Sequence, residues 1–284
     1  MKSIAIVIAM CGCNQVFDLD STQFVEPPRE FFDAPIDAPF ACPADSSTPR
    51  FSPFLRQVIQ QDCRDYVVSA ETQRALALCV DPDTYAWVAS EGPIDGFLTP
   101  APGFEDPVFE LQFLRLAPEG DEAVAVYYAT STYEFRTYRR QSNGTWTRAT
   151  DFGTTNAYLE ISGPTRRPNR HVVRTGFDQK LHEFVQDDGG LWTEVAAYTA
   201  SELGVSYPGA PKLSSDGLRL LLNSTAPASS VPRVLYSDRP TIQDRFRAAQ
   251  PLDGVPAVRD AYMNDDCSRV YFAGLESVFF VQRL

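Results

Sequence analysis

The residues best suited to chemistry in this chain are two Arg-Asp dipeptides, Arg64-Asp65 and Arg259-Asp260, standing 195 residues apart. Two carboxylates brought to one site could flank a glycosidic bond as acid and nucleophile, or as acid and base. That work needs separations of about 5–5.5 Å or about 6.5–9.5 Å. The two guanidinium groups beside them could instead hold a polar ligand without catalysis. A purely structural use, in which each pair fixes the start of a strand, competes with both.

Other chemistry is sparse. His171 and His182 are the only histidines and lie on either side of the turn Gly176-Phe177-Asp178-Gln179. Two histidines in one hairpin leave a Ser-His-Asp triad little room, and strand histidines with satisfied hydrogen bonds are the expectation. A G-x-S-x-G elbow, a P-loop, a G-x-G-x-x-G turn and a calcium loop are all missing from the sequence, so no catalytic residue, cofactor or metal site is assigned. The paired acids Asp81-Pro82-Asp83, Asp187-Asp188-Gly189-Gly190 and Asp265-Asp266 sit in turns, where Asp bonds its own backbone.

These groups act only where a fold places them, and the composition permits one. The chain has 284 residues, 44% of them hydrophobic and 12% aromatic, enough for a sizeable core. Its formal charge of −12 disfavours nucleic acid, which is gripped by clustered Lys and Arg.

The positioning elements repeat. Pro211-Lys212-Leu213-Ser214-Ser215-Asp216-Gly217-Leu218-Arg219-Leu220 reads as a strand, a Ser-Asp-Gly turn and a second strand. Degenerate copies surround Thr72, Gly120, Pro168 and Cys267, so that the five equivalent positions are spaced by 48, 48, 49 and 50 residues. Asn143-Gly144-Thr145-Trp146 and Gly189-Gly190-Leu191-Trp192 add a later turn and strand 46 residues apart. About four short strands per period of this length is the pattern of propeller blades. The Pro211–Leu220 motif resembles the TolB-like (WD40-like) β-propeller repeat, with Val234–Pro240 and Asp244-Arg245-Phe246 similar to that family's later strands. An all-β propeller of 48–50-residue, four-stranded blades is therefore expected over residues 50–284.

Ring closure can be read as well. The last unit has room for strands near 260–264, 270–273 and 278–282, and Arg50-Phe51 aligns with Arg245-Phe246. The N-terminal segment is predicted to add the outer strand of the last blade, which gives five blades and removes the sheet edge at the seam. A sixth blade from residues 20–49 is the alternative, opposed by the prolines there.

Ahead of the repeats, Lys2 precedes the apolar run Ile4–Met10 and then Cys11-Gly12-Cys13-Asn14. The run is far short of the roughly 20 residues of a spanning helix. It resembles the bacterial lipoprotein signal, which implies a signal peptide over 1–12 and lipidation at Cys13, with Cys11 the second choice. An ordinary cleaved secretion signal is the other reading. By the same resemblance, Asn14 implies sorting to the outer membrane. Residues 13–49, rich in Pro, Asp and Ser, read as a tether.

In an oxidising compartment four further cysteines allow three pairings. Cys63 and Cys79 fall opposite each other in the first hairpin, and Cys42 precedes the closing strand on the end of the ring that holds Cys267. Cys63–Cys79 and Cys42–Cys267 are the predicted bridges.

Together these features imply an envelope-anchored binding or scaffold propeller whose partner is an envelope protein or a glycan. Arg64, Asp65, Arg259 and Asp260 are its candidate channel-mouth residues. The alternative is a glycan-active enzyme using the channel carboxylates, by analogy with five-bladed glycosidases.

Overall fold

The computed structural model describes residues 50–284 except 53–54, 70, 156–159, 168–169, 188–189, 225–232, 257, 259–260, 265–266 and 274–276. The described residues belong to one compact unit containing nineteen strands in five antiparallel sheets. The first strand, β1 (Arg56–Ile59), stands apart from those that follow it. Blade 1 is β2 (Cys63–Ser69), β3 (Arg74–Val80), β4 (Trp87–Pro93) and β5 (Thr99–Pro100). Blade 2 is β6 (Glu110–Leu116), β7 (Glu122–Ala129), β8 (Thr132–Arg140) and β9 (Trp146–Thr155).

Blade 3 has three regular strands, β10 (His171–Thr175), β11 (Leu181–Gln186) and β12 (Trp192–Tyr198). Its inner edge is the irregular segment 160–165, which touches β10 through the isolated bridge Ile161↔Arg174. Blade 4 is β13 (Gly209–Leu213), β14 (Arg219–Ser224), β15 (Arg233–Asp238) and β16 (Gln250–Pro251). Blade 5 combines β17 (Tyr262–Met263), β18 (Arg269–Ala273) and β19 (Val278–Gln282) with β1 from the front of the chain. The fold is a five-bladed β-propeller closed by its N-terminal strand, in the order β1-β19-β18-β17.

The turn chemistry explains the repeat. In blade 4 the Ser214 hydroxyl donates to Asp216 Oδ1 (2.6 Å), which also accepts from the Leu218 amide (2.9 Å). The Arg219 amide donates to Ser214 Oγ at 2.9 Å. Gly217 then takes φ +70°, a conformation that favours glycine. Gly120 and Cys267, its equivalents in the sequence alignment, have φ +72° and +57°. In blades 2, 4 and 5 the period marks one backbone conformation, kept at Cys267 where the glycine has been replaced, whereas in blade 1 the positive φ falls one residue later, at Gln73.

Packing runs around the ring. Tyr262, Tyr271 and Phe280 of blade 5 share a buried cluster with Leu76 and Leu78 of blade 1 and Leu114 of blade 2. Phe113, Val126 and Phe135 of blade 2 meet Ile161 and Val172 of blade 3. Val173 and Leu181 meet Leu213, Leu222 and Phe246 of blade 4, and Leu221 and Val234 meet Met263 and Phe272 of blade 5. Each such side chain contributes about 1.5–3 kcal/mol on full burial.

Candidate functional site

The innermost strands all start on one end of the ring, here called the upper rim. Antiparallel pairing places the turns between the second and third strands of each blade at this rim too. Arg64 and Asp65 sit there, at the start of β2. The ladder between β2 and β3 is interrupted between Arg64 and Val67, and Asp65 has φ +55°. Bulges re-aim side chains, and Asp tolerates the left-handed region better than most residues. The result is that Asp65 turns inward and only 2% of its surface is exposed.

Asp65 Oδ1 forms an ion pair with Nη1 of Arg115 on β6, itself 1% exposed. Arg115 also donates from Nε to the Ile161 carbonyl (3.0 Å) and from Nη1 to the Leu114 carbonyl (2.8 Å). One carboxylate from blade 1 thus fixes an arginine of blade 2 that reaches the inner edge of blade 3. Arg64 parts from its neighbour: its guanidinium lies over the Trp87 ring, 4.3 Å from the centroid. Arg259 and Asp260 lie outside the described residues, as do Cys13 and Cys42.

Cys63 and Cys79 are cross-strand partners joined by a disulfide, as their placement in the first hairpin predicts. Cys267 is also disulfide-bonded.

Both histidines bond carboxylates, His182 through both ring nitrogens and His171 through Nδ1. His171 Nδ1 bonds Glu183 Oε1 at 2.6 Å, and the same carboxylate accepts from the Tyr198 hydroxyl (2.9 Å) and Arg239 Nη1 (3.0 Å). All four residues are buried. Burial pushes the Glu183 carboxyl up, but the bonds from His171 and Arg239 outweigh it and leave the group below its ordinary value. Tyr198 is pushed up to about 12 by burial and by the adjoining Glu183 charge. This hub ties blade 3 to the chain just after β15.

His182 lies nearer the surface, with Nε2 3.0 Å from Asp178 Oδ1 and Nδ1 3.0 Å from Glu194 Oε1. A ring flanked by two carboxylates favours the doubly protonated form. Partial burial lowers its pKa, yet the two carboxylates raise it above 6.5 overall.

The sequence reading did not find Arg115, Glu183 or Arg239. The partners of Arg115 and Arg239 lie 50 and 56 residues away in other blades, where only the packing of blades brings them together, whereas Glu183 meets His171 12 residues away within one hairpin.

The rim itself is aromatic and acidic. Tyr85 is 82% exposed at the turn before β4, and Phe177 is 72% exposed at the turn before β11. Val108 and Tyr207 are exposed on the loops leading into β6 and β13. Beside them, Asp106 Oδ1 accepts from the Val108 and Phe109 amides at 2.8 and 2.9 Å, and its Oδ2 accepts from Arg136 at 2.7 Å. Arg136 is held in turn by Glu134. The loop is braced by its own acid. Among the described residues no group of three or more His, Cys, Asp or Glu side chains is arranged to hold a metal ion.

No family model and no curated protein matches the chain. Solved structures of similar shape include a protein provisionally described as a 6-phosphogluconolactonase from Bacteroides uniformis ATCC 8492. It is 13% identical, with 73% of this chain and 62% of that chain covered and a TM-score of 0.43, so this chain spans less than two thirds of its length. The gluconolactonase XC5397 from Xanthomonas campestris is 12% identical over 87% of this chain and 98% of its own, with a TM-score of 0.46. A protein provisionally described as TolB from Agrobacterium tumefaciens is 12% identical over 78% and 75%, with a TM-score of 0.42. Likenesses this distant carry no argument about activity, because one fold hosts many functions.

Proposed function

We propose that this protein is a non-catalytic binding or scaffold propeller, tethered to the cell envelope through lipid on Cys13, that recognises a protein or polar ligand with its upper rim. The observation that carries this reading is the state of Asp65. A catalytic carboxylate must reach substrate or water, whereas this one is 2% exposed and committed to Arg115. The exposed Tyr85 and Phe177 on braced turns supply contact area of the kind that dominates recognition surfaces. The test is capture from envelope extract by the Cys13→Ala chain, with bound proteins and glycans identified by mass spectrometry. A protein partner lost on Tyr85→Ala or Phe177→Ala is the expected result. Recovery of shortened glycans, abolished by Asp65→Asn, would overturn it in favour of a glycan-active enzyme. The anchor has its own test: fatty-acid labelling should disappear in Cys13→Ala and persist in Cys11→Ala, and the reverse pattern would move the anchor.

A further inference from the structure

The buried arginines of this ring are nearly all neutralised. Arg115 has Asp65, Arg136 has Asp106 and Glu134, Arg170 has Glu119 and Glu122, and Arg239 has Glu183. Arg174, half-buried on β10 facing blade 2, has no carboxylate partner among the described residues, a state it shares with Arg64 over Trp87. The Arg174 guanidinium lies between two phenylalanine rings, 5.6 Å from the Phe135 centroid and 5.0 Å from that of Phe184. It forms no hydrogen bond or ion pair with any described residue; its Nε is enclosed, whereas the two Nη nitrogens reach solvent. The fork therefore keeps hydrogen-bonding capacity that no described residue takes up, with the Phe135 and Phe184 rings beside it. Opposite Phe135 on β9 is Gly153, and a Cβ built there would have no described atom within 4 Å.

Burial without a counter-ion is costly for a cation, and it depresses the pKa of Arg174, with only Glu194 acting in the other direction. Across the ladder from it is His182, which holds Asp178 and Glu194, with Lys180 paired to Asp178; of these charges Glu194 is the one that acts on Arg174. Asp178 and Glu194 are already engaged by His182, and they would repel a dianion more than a monoanion.

We propose that the groove between blades 2 and 3 binds a small carboxylate-bearing molecule, its carboxylate taken by the two Nη nitrogens of Arg174 and its body lying against Phe135 and Phe184 beside Gly153. A planar guanidinium matches a carboxylate with two parallel hydrogen bonds, and the aromatic walls hold the fork ready for them. The site adjoins the turn that carries Phe177, but its ligand is read by Arg174, and neither assignment depends on the other.

The experiment is a titration of the full 15N-labelled chain with sodium benzoate, sodium glucuronate and sodium phosphate in separate arms, following the Arg174 Nε–Hε resonance. A saturable shift with a carboxylate, at a Kd of about 1 mM or below, is expected. Benzoate saturating first assigns an aromatic acid, and glucuronate first a sugar acid. Arg174→Lys keeps the charge but loses the fork and should weaken binding about tenfold or more. Glu194→Gln removes an opposing carboxylate and should tighten it severalfold. No saturation by either carboxylate, saturation by phosphate alone, unchanged affinity in Arg174→Lys, or no gain in Glu194→Gln overturns the proposal.

Discussion

Blades 2 and 3 are neighbours built on one plan, yet their inner edges are held by different means. In blade 2, β6 pairs with β7 from Glu110↔Tyr128 to Leu116↔Ala123, interrupted only between Leu111 and Phe113. In blade 3 the inner edge is irregular: beside the bridge Ile161↔Arg174 it keeps amide-to-carbonyl bonds from Ser162 to Val173, Thr165 to His171 and Thr175 to Glu160, and side chains supply further acceptors. Ser162 Oγ accepts from the Val173 amide at 3.0 Å, and Thr165 Oγ1 accepts from the His171 amide at 2.8 Å. Arg115 then reaches across from blade 2 to the Ile161 carbonyl. The difference teaches that Asp65, the carboxylate most suggestive of catalysis, serves to hold the arginine that props a weakened neighbour.

The largest expected effect tests that prop. Arg115→Met removes the cation paired with buried Asp65 and the donor to Ile161, so chemical denaturation should show a loss of about 3–5 kcal/mol. A loss below about 1 kcal/mol would break the comparison. Next comes blade 1, whose inner strand is covalently clamped: replacing both Cys63 and Cys79 by Ser opens a loop with a sequence separation of 16 and should cost roughly 3 kcal/mol. The same transition measured with and without reductant checks it. Ser162→Ala is milder. It leaves the buried Val173 amide without its side-chain acceptor and should cost about 1–3 kcal/mol, with amide exchange quickening at Val173 and unchanged in β7. Equal quickening in both blades would show that the hydroxyl is not local support.

The smallest effect is pH-dependent and confined to the outer hairpin of blade 3. His182 is raised above 6.5, so its contribution is complete below that value and is lost as pH rises through the folded-state pKa. Asp178 is lowered from 3.8 to about 2, chiefly by its hydrogen bond to His182, so its contribution is present above 3.8 and is lost as pH falls toward 2. Amide protection at the β10–β11 turn should therefore be greatest between about pH 4 and the His182 midpoint. Ring-proton NMR should place that midpoint above 6.5 and lower it in Asp178→Asn; a wild-type midpoint at or below 6.5 contradicts the geometry.

Much of the architecture was legible because a propeller repeats one turn, and the spacing of Thr72, Gly120, Pro168, Gly217 and Cys267 survives where the residues do not. The Cys63–Cys79 bridge followed, since both cysteines fall in one hairpin whose register is local. The site was less legible. Nothing near Asp65 signals that a bulge turns it toward Arg115, because that partner is set by how adjacent blades pack. Glu183 and Arg174 have the same difficulty: alternation along a strand tells which face a residue takes, but not that the neighbouring blade offers Glu183 an arginine or sets Phe135 against Arg174.

The closing strand also sets an order of events during synthesis. β1 leaves the ribosome ahead of all its partners, and its bond to the last blade, such as Gln57 to Ser277, spans 220 residues. Blades 1 to 4 can each gather their strands as they emerge, whereas the fifth must wait until β19 has been made. A chain cut short before β19 would carry an unpaired strand at its front and an open edge at its back. Loss of β19 would thus expose two sticky edges at once, and the covering of both depends on that one strand.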